Sequence, residues 1–235
     1  MLGPPDVHGI IIIIIIFFSF QKRITAFNAR SYLTYADNKK VNWNARMESV
    51  FFSDFFGNRH TQFGKIKEGI TKKLFAQKFP NLKVVYHVGL IMNFRFPWLA
   101  FSPDGFAIDK HGNVILLEGK ALAKGKTFIG LNFCKRLNFL TILPNKKLLL
   151  KENSQYYAQI QLGLAISNLE RARLMLYVHK NKSVISVKVK RNDEFISQLI
   201  SSLTDTYFTH FLPFLSKNEE KAIENLKKKN PKLFS

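Results

Sequence analysis

The stretch from Phe101 to Lys120, FSPDGFAIDKHGNVILLEGK, constrains this chain more than any other. It reads as two short strands joined by a turn. Phe101 to Ile108 carries Asp104 in a Pro-Asp-Gly turn, Lys110 to Asn113 is a polar turn, and Val114 to Leu117 is an apolar run ending in Glu118-Gly119-Lys120. Four apolar residues in a row predict a buried strand. Such a strand, ending in a carboxylate and an ammonium with a second carboxylate close by, is costly to bury unless the charges meet each other or a metal. Strand alternation puts Glu118 and Lys120 on one face, with Gly119 turned away. If the two strands pair, Asp104 reaches that face too.

This cluster has a definite chemical use. Two carboxylates at a strand edge form a hard oxygen site suited to Mg²⁺, which keeps several waters and completes its shell from substrate phosphate. Bound there, the ion lowers the pKa of a water and polarises a phosphoryl oxygen. Lys120 then holds or deprotonates the attacking water and offsets developing charge. From spacing alone, the competing reading is a surface hairpin with a solvated Asp and a Glu–Lys pair.

Ser-Pro-Asp-Gly followed after a gap by Glu-x-Lys resembles the signature of PD-(D/E)XK nucleases. More narrowly, it is similar to the YqaJ-like viral recombinase family, to which the lambda exonuclease belongs. Three further stretches fit in the same order. Phe63-Gly64-Lys65-Ile66-Lys67-Glu68 resembles the family's Trp-Gly-Lys-x-x-Glu helix start, and Tyr156-Tyr157-Ala158-Gln159-Ile160-Gln161 its Tyr-x-x-Gln-Val-Gln helix. Arg23-Ile24-Thr25-Ala26 resembles its Arg-Ile-Thr-Ala-Ser opening. The similarity runs from Arg23 to Val189.

The resemblance implies an α/β, restriction-endonuclease-like core: a central mixed β-sheet flanked by α-helices. It implies an Mg²⁺-dependent deoxyribonuclease, with Mn²⁺ able to substitute, of the exonuclease type that processes duplex DNA ends for recombination. Some members form rings, which makes a homo-oligomer an expectation. Asp104 and Glu118 would hold the metal, with the Gly119 carbonyl as a further ligand and Glu68 as an accessory acid. Lys120 would act on the water, and Gln159 would orient Lys120 or that water. The sequence departs from the family pattern at four places. Phe27 stands where the family has Ser, and Phe20 where it has a basic residue, in a region that grips the strand's terminal phosphate. Gly119 replaces an apolar residue, and Ala121-Leu122 replaces Cys-Pro. These departures keep a second reading open, a nuclease fold that holds DNA without cutting it.

Bulk charge agrees with a polyanionic partner. The formal net charge of +20 over 235 residues favours nucleic acid through counterion release and steering, although an anionic membrane surface would satisfy it too. Basic residues interleave with aromatics after Lys120, and Arg23, Lys124, Lys126, Lys135 and Arg136 are the candidate DNA contacts. The single cysteine, Cys134, excludes an internal disulfide and a Cys-based metal site. The six histidines do not cluster in sequence. An intracellular location is expected, nuclear in a eukaryote.

Three segments follow: residues 1–20 as an anomalous apolar start, 21–215 as the nuclease domain, and 216–235 as a basic tail. The unbroken isoleucine run from Ile10 to Ile16 and the phenylalanines after it span about half of what a bilayer-crossing helix needs. No basic n-region precedes the run and no small-residue cleavage site follows it, so a buried strand or a segment foreign to the ancestral domain is expected there, with a membrane anchor the lesser alternative. Helices are expected over residues 44–56, over 61–79 with Thr61 as cap, over 153–169 with Ser154 as cap, over 193–211 stopping before Pro213, and over 219–229. On the second of these, Phe63, Ile66, Ile70, Leu74 and Phe75 form the apolar stripe and leave Glu68 off it. Strands are expected over 83–90, and as a hairpin over 171–178 and 184–189.

Overall fold

The computed structural model describes residues 23–52, 59–86 and 88–229. The isoleucine run lies outside the described residues, as do the side chains of residues 59–66 with the expected Thr61 cap.

Along the chain, strand β1 (Ile24–Thr25) leads to helices α1 (Ala29–Ala36), α2 (Trp43–Phe52) and α3 (Arg59–Lys78). Strands β2 (Lys83–Val85), β3 (Ile91–Asn93), β4 (Phe96–Phe101), β5 (Gly105–Ile108) and β6 (Val114–Ala121) come next. After a 3₁₀ turn (Ala123–Lys126) and α4 (Gly130–Lys135), the pair β7 (Leu140–Ile142) and β8 (Leu148–Leu150) precedes α5 (Gln155–Ser167). The hairpin β9 (Arg171–Val178) and β10 (Ser183–Lys190) follows. Last come α6 (Asp193–Thr206), a π-helical turn (Tyr207–Phe211), α7 (Leu212–Lys217) and α8 (Glu219–Lys229).

The main sheet has the order β10-β9-β6-β5-β2. It is mixed: β6 pairs β9 in parallel and β5 antiparallel, while β9–β10 and β5–β2 are antiparallel. A second sheet, β1-β4-β3, delivers the chain from Phe101 into the Asp104 turn. The expected α/β fold with a central mixed sheet flanked by helices is therefore what the chain adopts.

The strand β6 is central because its apolar run is buried on both sides; Leu116 and Leu117 are both fully buried. The crossover from β6 to the parallel β9 passes through α5. Ser154 caps that helix by accepting the Tyr157 N–H at 3.1 Å, and Asn168 ends it in a left-handed conformation. Helical spacing predicts one apolar face here, from Tyr157, Ile160, Leu164 and Ile166. Instead every residue from Tyr157 to Ile166 is buried, so α5 runs through the core and is hydrophobic nearly all round. Its two buried glutamines divide the work. Gln161 ties α5 to the end of β10 through the Lys190 carbonyl and the Asn192 N–H, and Gln159 faces β6.

Other expectations shift in detail. The strand over 83–90 is shorter, ending at Val85, and the helix expected over 44–56 begins at Trp43 and is described as far as Phe52. The helix from Asp193 does not stop before Pro213. The π-turn, in which the Leu212 N–H donates to the Tyr207 carbonyl, carries it into α7, where Pro213 occupies the first turn. Residues beyond 216 do more than trail: α8 buries Ala222, Asn225 Nδ2 donates to the Phe51 carbonyl at 3.2 Å, and Lys221 lies 4.2 Å from the Phe52 ring centroid. Among the described residues no helix is long and apolar enough to cross a membrane.

The seat of α5 against the sheets depends on Gly163. A Cβ there would sit 2.7 Å from Phe101 Cζ and 3.0 Å from Leu116 Cδ2. Gly163→Ala is expected to destabilise the protein by about 1–3 kcal/mol through overpacking, outweighing the better helix propensity of alanine. Urea denaturation monitored by circular dichroism measures it.

Candidate active site

The strand β6 outruns its neighbour. Gly105 at the start of β5 pairs with Leu117, so Gly119 to Ala121 have no partner on that edge. Asp104, immediately before β5, takes the first unpaired donor: its Oδ2 accepts the Gly119 N–H at 2.5 Å. The residues Glu118 and Lys120 both turn toward α5, as strand alternation requires. Lys120 Nζ donates to Glu118 Oε1 at 2.7 Å, and Gln159 Nε2 donates to the same oxygen at 2.8 Å.

Asp104 was expected on the face of Glu118 and Lys120, and here the structure differs. Asp104 comes in at the strand edge on the side where Gly119 lacks a side chain; a Cβ on Gly119 would lie 3.3 Å from Asp104 Oδ2 and 3.7 Å from Thr71 Cγ2. Gly119 thus makes the room that lets the acid of the turn reach strand β6. On a strand the N–H and C=O of one residue leave toward the same side, so the Gly119 carbonyl also projects toward this open edge.

Burial and charge set the electrostatics. Glu118 is 2% exposed, and its Oε2 is buried with no hydrogen-bond partner. Burial, the nearby Glu118 charge and a smaller contribution from Glu68 push the Asp104 carboxyl up to about 7, against the opposing pull of the Gly119 N–H and Lys120. Burial draws the Lys120 ammonium down, but Glu118, by charge and hydrogen bond, and then Asp104 more than offset it, so its pKa is raised. Lys120 is therefore a cation at neutral pH, a donor and a positive charge.

Glu68 lies on α3 at the same pocket, ion-paired with Lys72. The apolar stripe read from the sequence leaves it off the core, whereas the family resemblance places it beside the acidic groups. Thr71 and Phe75 are buried and Ile70 is 40% exposed, so the side of α3 that meets the sheet runs through Thr71 and Phe75, and Glu68 stands one turn earlier with its side chain 43% exposed. These groups open into a cavity of about 1080 Å³, lined among others by Glu68, Asp104, Gly119, Lys120 and Lys124. Among the described residues, no three His, Cys, Asp or Glu side chains stand together as a ready-made metal cage.

The candidate DNA contacts divide. Lys124 reaches the cavity wall, where its ammonium donates to the Arg136 carbonyl. Lys126, Lys135 and Arg136 are exposed in the same segment, and the Arg136 guanidinium lies 4.8 Å from the Phe128 ring centroid. Arg23 donates to the Pro97 carbonyl at 2.7 Å, bracing β4. Phe133 is fully buried and belongs to the core.

No protein-family model matches the sequence, and no curated protein does. Solved structures do match. The alkaline exonuclease LHK-Exo from Laribacter hongkongensis, in complex with dAMP, superposes with a TM-score of 0.59 at 19% identity, covering 92% of this chain and 97% of that one. The fold is that of an alkaline exonuclease. A second LHK-Exo structure gives 0.57 at 19% identity over 91% and 95% of the two chains. A phage-related exonuclease from Haemophilus somnus 129PT gives 0.54 at 12% identity over 79% and 93%.

Sequence reasoning missed three participants. Lys72 neutralises Glu68 one turn further along α3, and Thr71 packs beneath Gly119; both follow from helical spacing. Tyr156, half-buried beside the cavity, has its ring centroid 5.4 Å from Lys120 Nζ, and its place as the first tyrosine of the Tyr-x-x-Gln-Val-Gln resemblance is the signal for it.

The raised Asp104 carboxyl carries a stability consequence in metal-free protein. Its ordinary value is 3.8 and its folded value about 7, so the folded state holds the proton more tightly. Stability contributed by this group is full below pH 4 and lost as pH rises through 7. Asp104→Asn keeps the acceptor for Gly119 and removes the charge. In EDTA it is expected to exceed the wild type in stability at pH 8, by up to roughly 4 kcal/mol, and to match it near pH 4. Thermal melts across that range give the difference.

Proposed function

We propose that this protein is a metal-dependent nuclease that hydrolyses phosphodiester bonds in DNA, working as an exonuclease of the recombination and end-processing type. The observation that carries the reading is the meeting of Asp104, Glu118 and Lys120 where β6 runs on past the end of β5. Two features of that meeting suit a divalent cation: a buried carboxylate oxygen without a partner, and a second carboxyl driven up by burial and by the neighbouring Glu118 charge. Asp104, Glu118 and the Gly119 carbonyl would hold Mg²⁺, with Mn²⁺ able to substitute, and the ion would polarise a phosphoryl oxygen and lower the pKa of a water.

The protein's own groups supply the rest. Lys120, charged and at the cavity wall, orients the attacking water and offsets the charge that develops on the phosphate. It holds that water rather than deprotonating it. Gln159 acts one step back, fixing the Glu118 carboxylate through Oε1 so that Oε2 keeps its direction. Glu68 is an accessory acid whose charge Lys72 tempers. Lys124, Lys126, Lys135 and Arg136 lie on the segment beyond β6, where they contact phosphates outside the reacting one. DNA as the substrate is supported by the net charge of +20 and by the dAMP held by LHK-Exo.

End-labelled linear duplex and circular DNA, each with Mg²⁺ and with EDTA, test the reading together. Mg²⁺-dependent loss of the linear substrate, with the circle spared, is expected. Asp104→Asn, Glu118→Gln and Lys120→Ala should each lower cleavage by on the order of 10²-fold or more while keeping a cooperative melt. Gln159→Ala should act more mildly, on the order of 10- to 100-fold and mainly on the Mg²⁺ concentration required. Cleavage unchanged in the first three variants removes those residues from the mechanism. A wild type that binds DNA with both metals yet never cuts is a binding module instead.

A further inference from the structure

The mouth of the cavity carries a ring that hydrolysis does not use. Phe27 lines the cavity and is 67% exposed. Its backbone is firmly held. Ala26 and Ala29 on either side are buried in the core, the Ala26 N–H donates to the Ala100 carbonyl at 2.9 Å, and the Asn28 N–H donates to Thr25 at 3.0 Å. The turn between β1 and α1 thus presents an aromatic side chain to solvent from a fixed position.

A lone exposed phenylalanine needs no explanation. This one has company. Lys120 Nζ lies 6.0 Å from the Phe27 ring centroid and 5.4 Å from that of Tyr156, and Tyr156 meets Phe139 edge-on at 4.7 Å. The ammonium that the nuclease reading assigns to the phosphate is therefore flanked by two aromatic rings. A ligand that uses both at once has an anionic group and a flat, unstacked ring. Bases stack on aromatic side chains whatever their sequence, because every base has a π-face.

We propose that Phe27 is a stacking platform for an unpaired base, belonging to the nucleotide whose phosphate lies at Lys120. The proposal takes its substrate class from the nuclease reading and narrows it: the strand enters the site with its end nucleotide out of the duplex. Phe27 is then a specificity-determining residue, recognising the base and leaving the phosphate to Lys120.

The test measures binding of full-length protein in EDTA, by fluorescence anisotropy, to two short single-stranded oligonucleotides. They differ only in that one has abasic residues at both ends. Wild type is expected to prefer the base-bearing strand by on the order of tenfold. Phe27→Leu, which keeps apolar bulk without a π-face, should bring the ratio close to one and leave the abasic affinity unchanged, whereas Phe27→Trp should keep the preference. Equal wild-type affinities, an unchanged ratio in Phe27→Leu, or no binding of either strand overturns the proposal, and the wild-type comparison needs no variant to fold. Cleavage is scored separately with Mg²⁺: a protein that never cuts but still prefers the base-bearing strand loses the nuclease reading and keeps the platform.

Discussion

The structure is organised around a carboxylate that water cannot reach. Glu118 sits on the central strand with one oxygen held by both Lys120 and Gln159 and the other unpartnered. Taking a carboxylate out of water costs several kcal/mol in real proteins unless charge and hydrogen bonds answer it. Each answering group comes from a different level of the fold. Lys120 follows from alternation on the same strand; Gln159 requires the crossover helix to lie close against the sheet. That closeness in turn rests on Gly163, where no side chain fits between α5 and the rings and methyls beneath it. A helix buried all round, a small residue at its contact and a paired charge are parts of one arrangement.

Charge is distributed accordingly. Around the cavity, positive and negative groups are matched: Lys72 with Glu68 and Lys120 with Glu118. The large positive excess lies elsewhere, notably on the segment after β6 and the turns of the surface. Long-range attraction of a polyanion is thereby separated from the local balance at the acidic groups. Asp104 is the exception. It has only a backbone N–H and a more distant ammonium to set against burial and a neighbouring carboxylate, so the resting protein tolerates an unfavourable anion in the turn leading to β5.

Much of this was legible in the residues. The apolar run of Val114 to Leu117 and the alternation after it gave β6 and the shared face of Glu118 and Lys120, because a period of two has little freedom. The Ser154 cap and the hairpin of β9 and β10 were equally local signals. What failed required knowledge of neighbours. The apolar stripe through Ile70 misses Thr71, yet the sheet accepts a threonine beneath a glycine and leaves the isoleucine half in solvent. The edge-on approach of Asp104 depends on where β5 ends relative to β6, a matter of register that no single strand encodes. Pro213 reads as a helix stop until the π-turn ahead of it is known.

The parallel pairing of β6 with β9 bears on how the molecule comes into being. Asp104, Glu118 and Lys120 are neighbours along the chain and can meet in a hairpin alone. Gln159 and β9 arrive only after a long excursion through the 3₁₀ turn, α4 and the β7–β8 pair, and closing such a loop is among the slower events in folding. The two carboxylates and the ammonium thus come from one local hairpin, whereas the glutamine that fixes the direction of Glu118 is supplied by a non-local crossover, and the arrangement is complete only when both are in place.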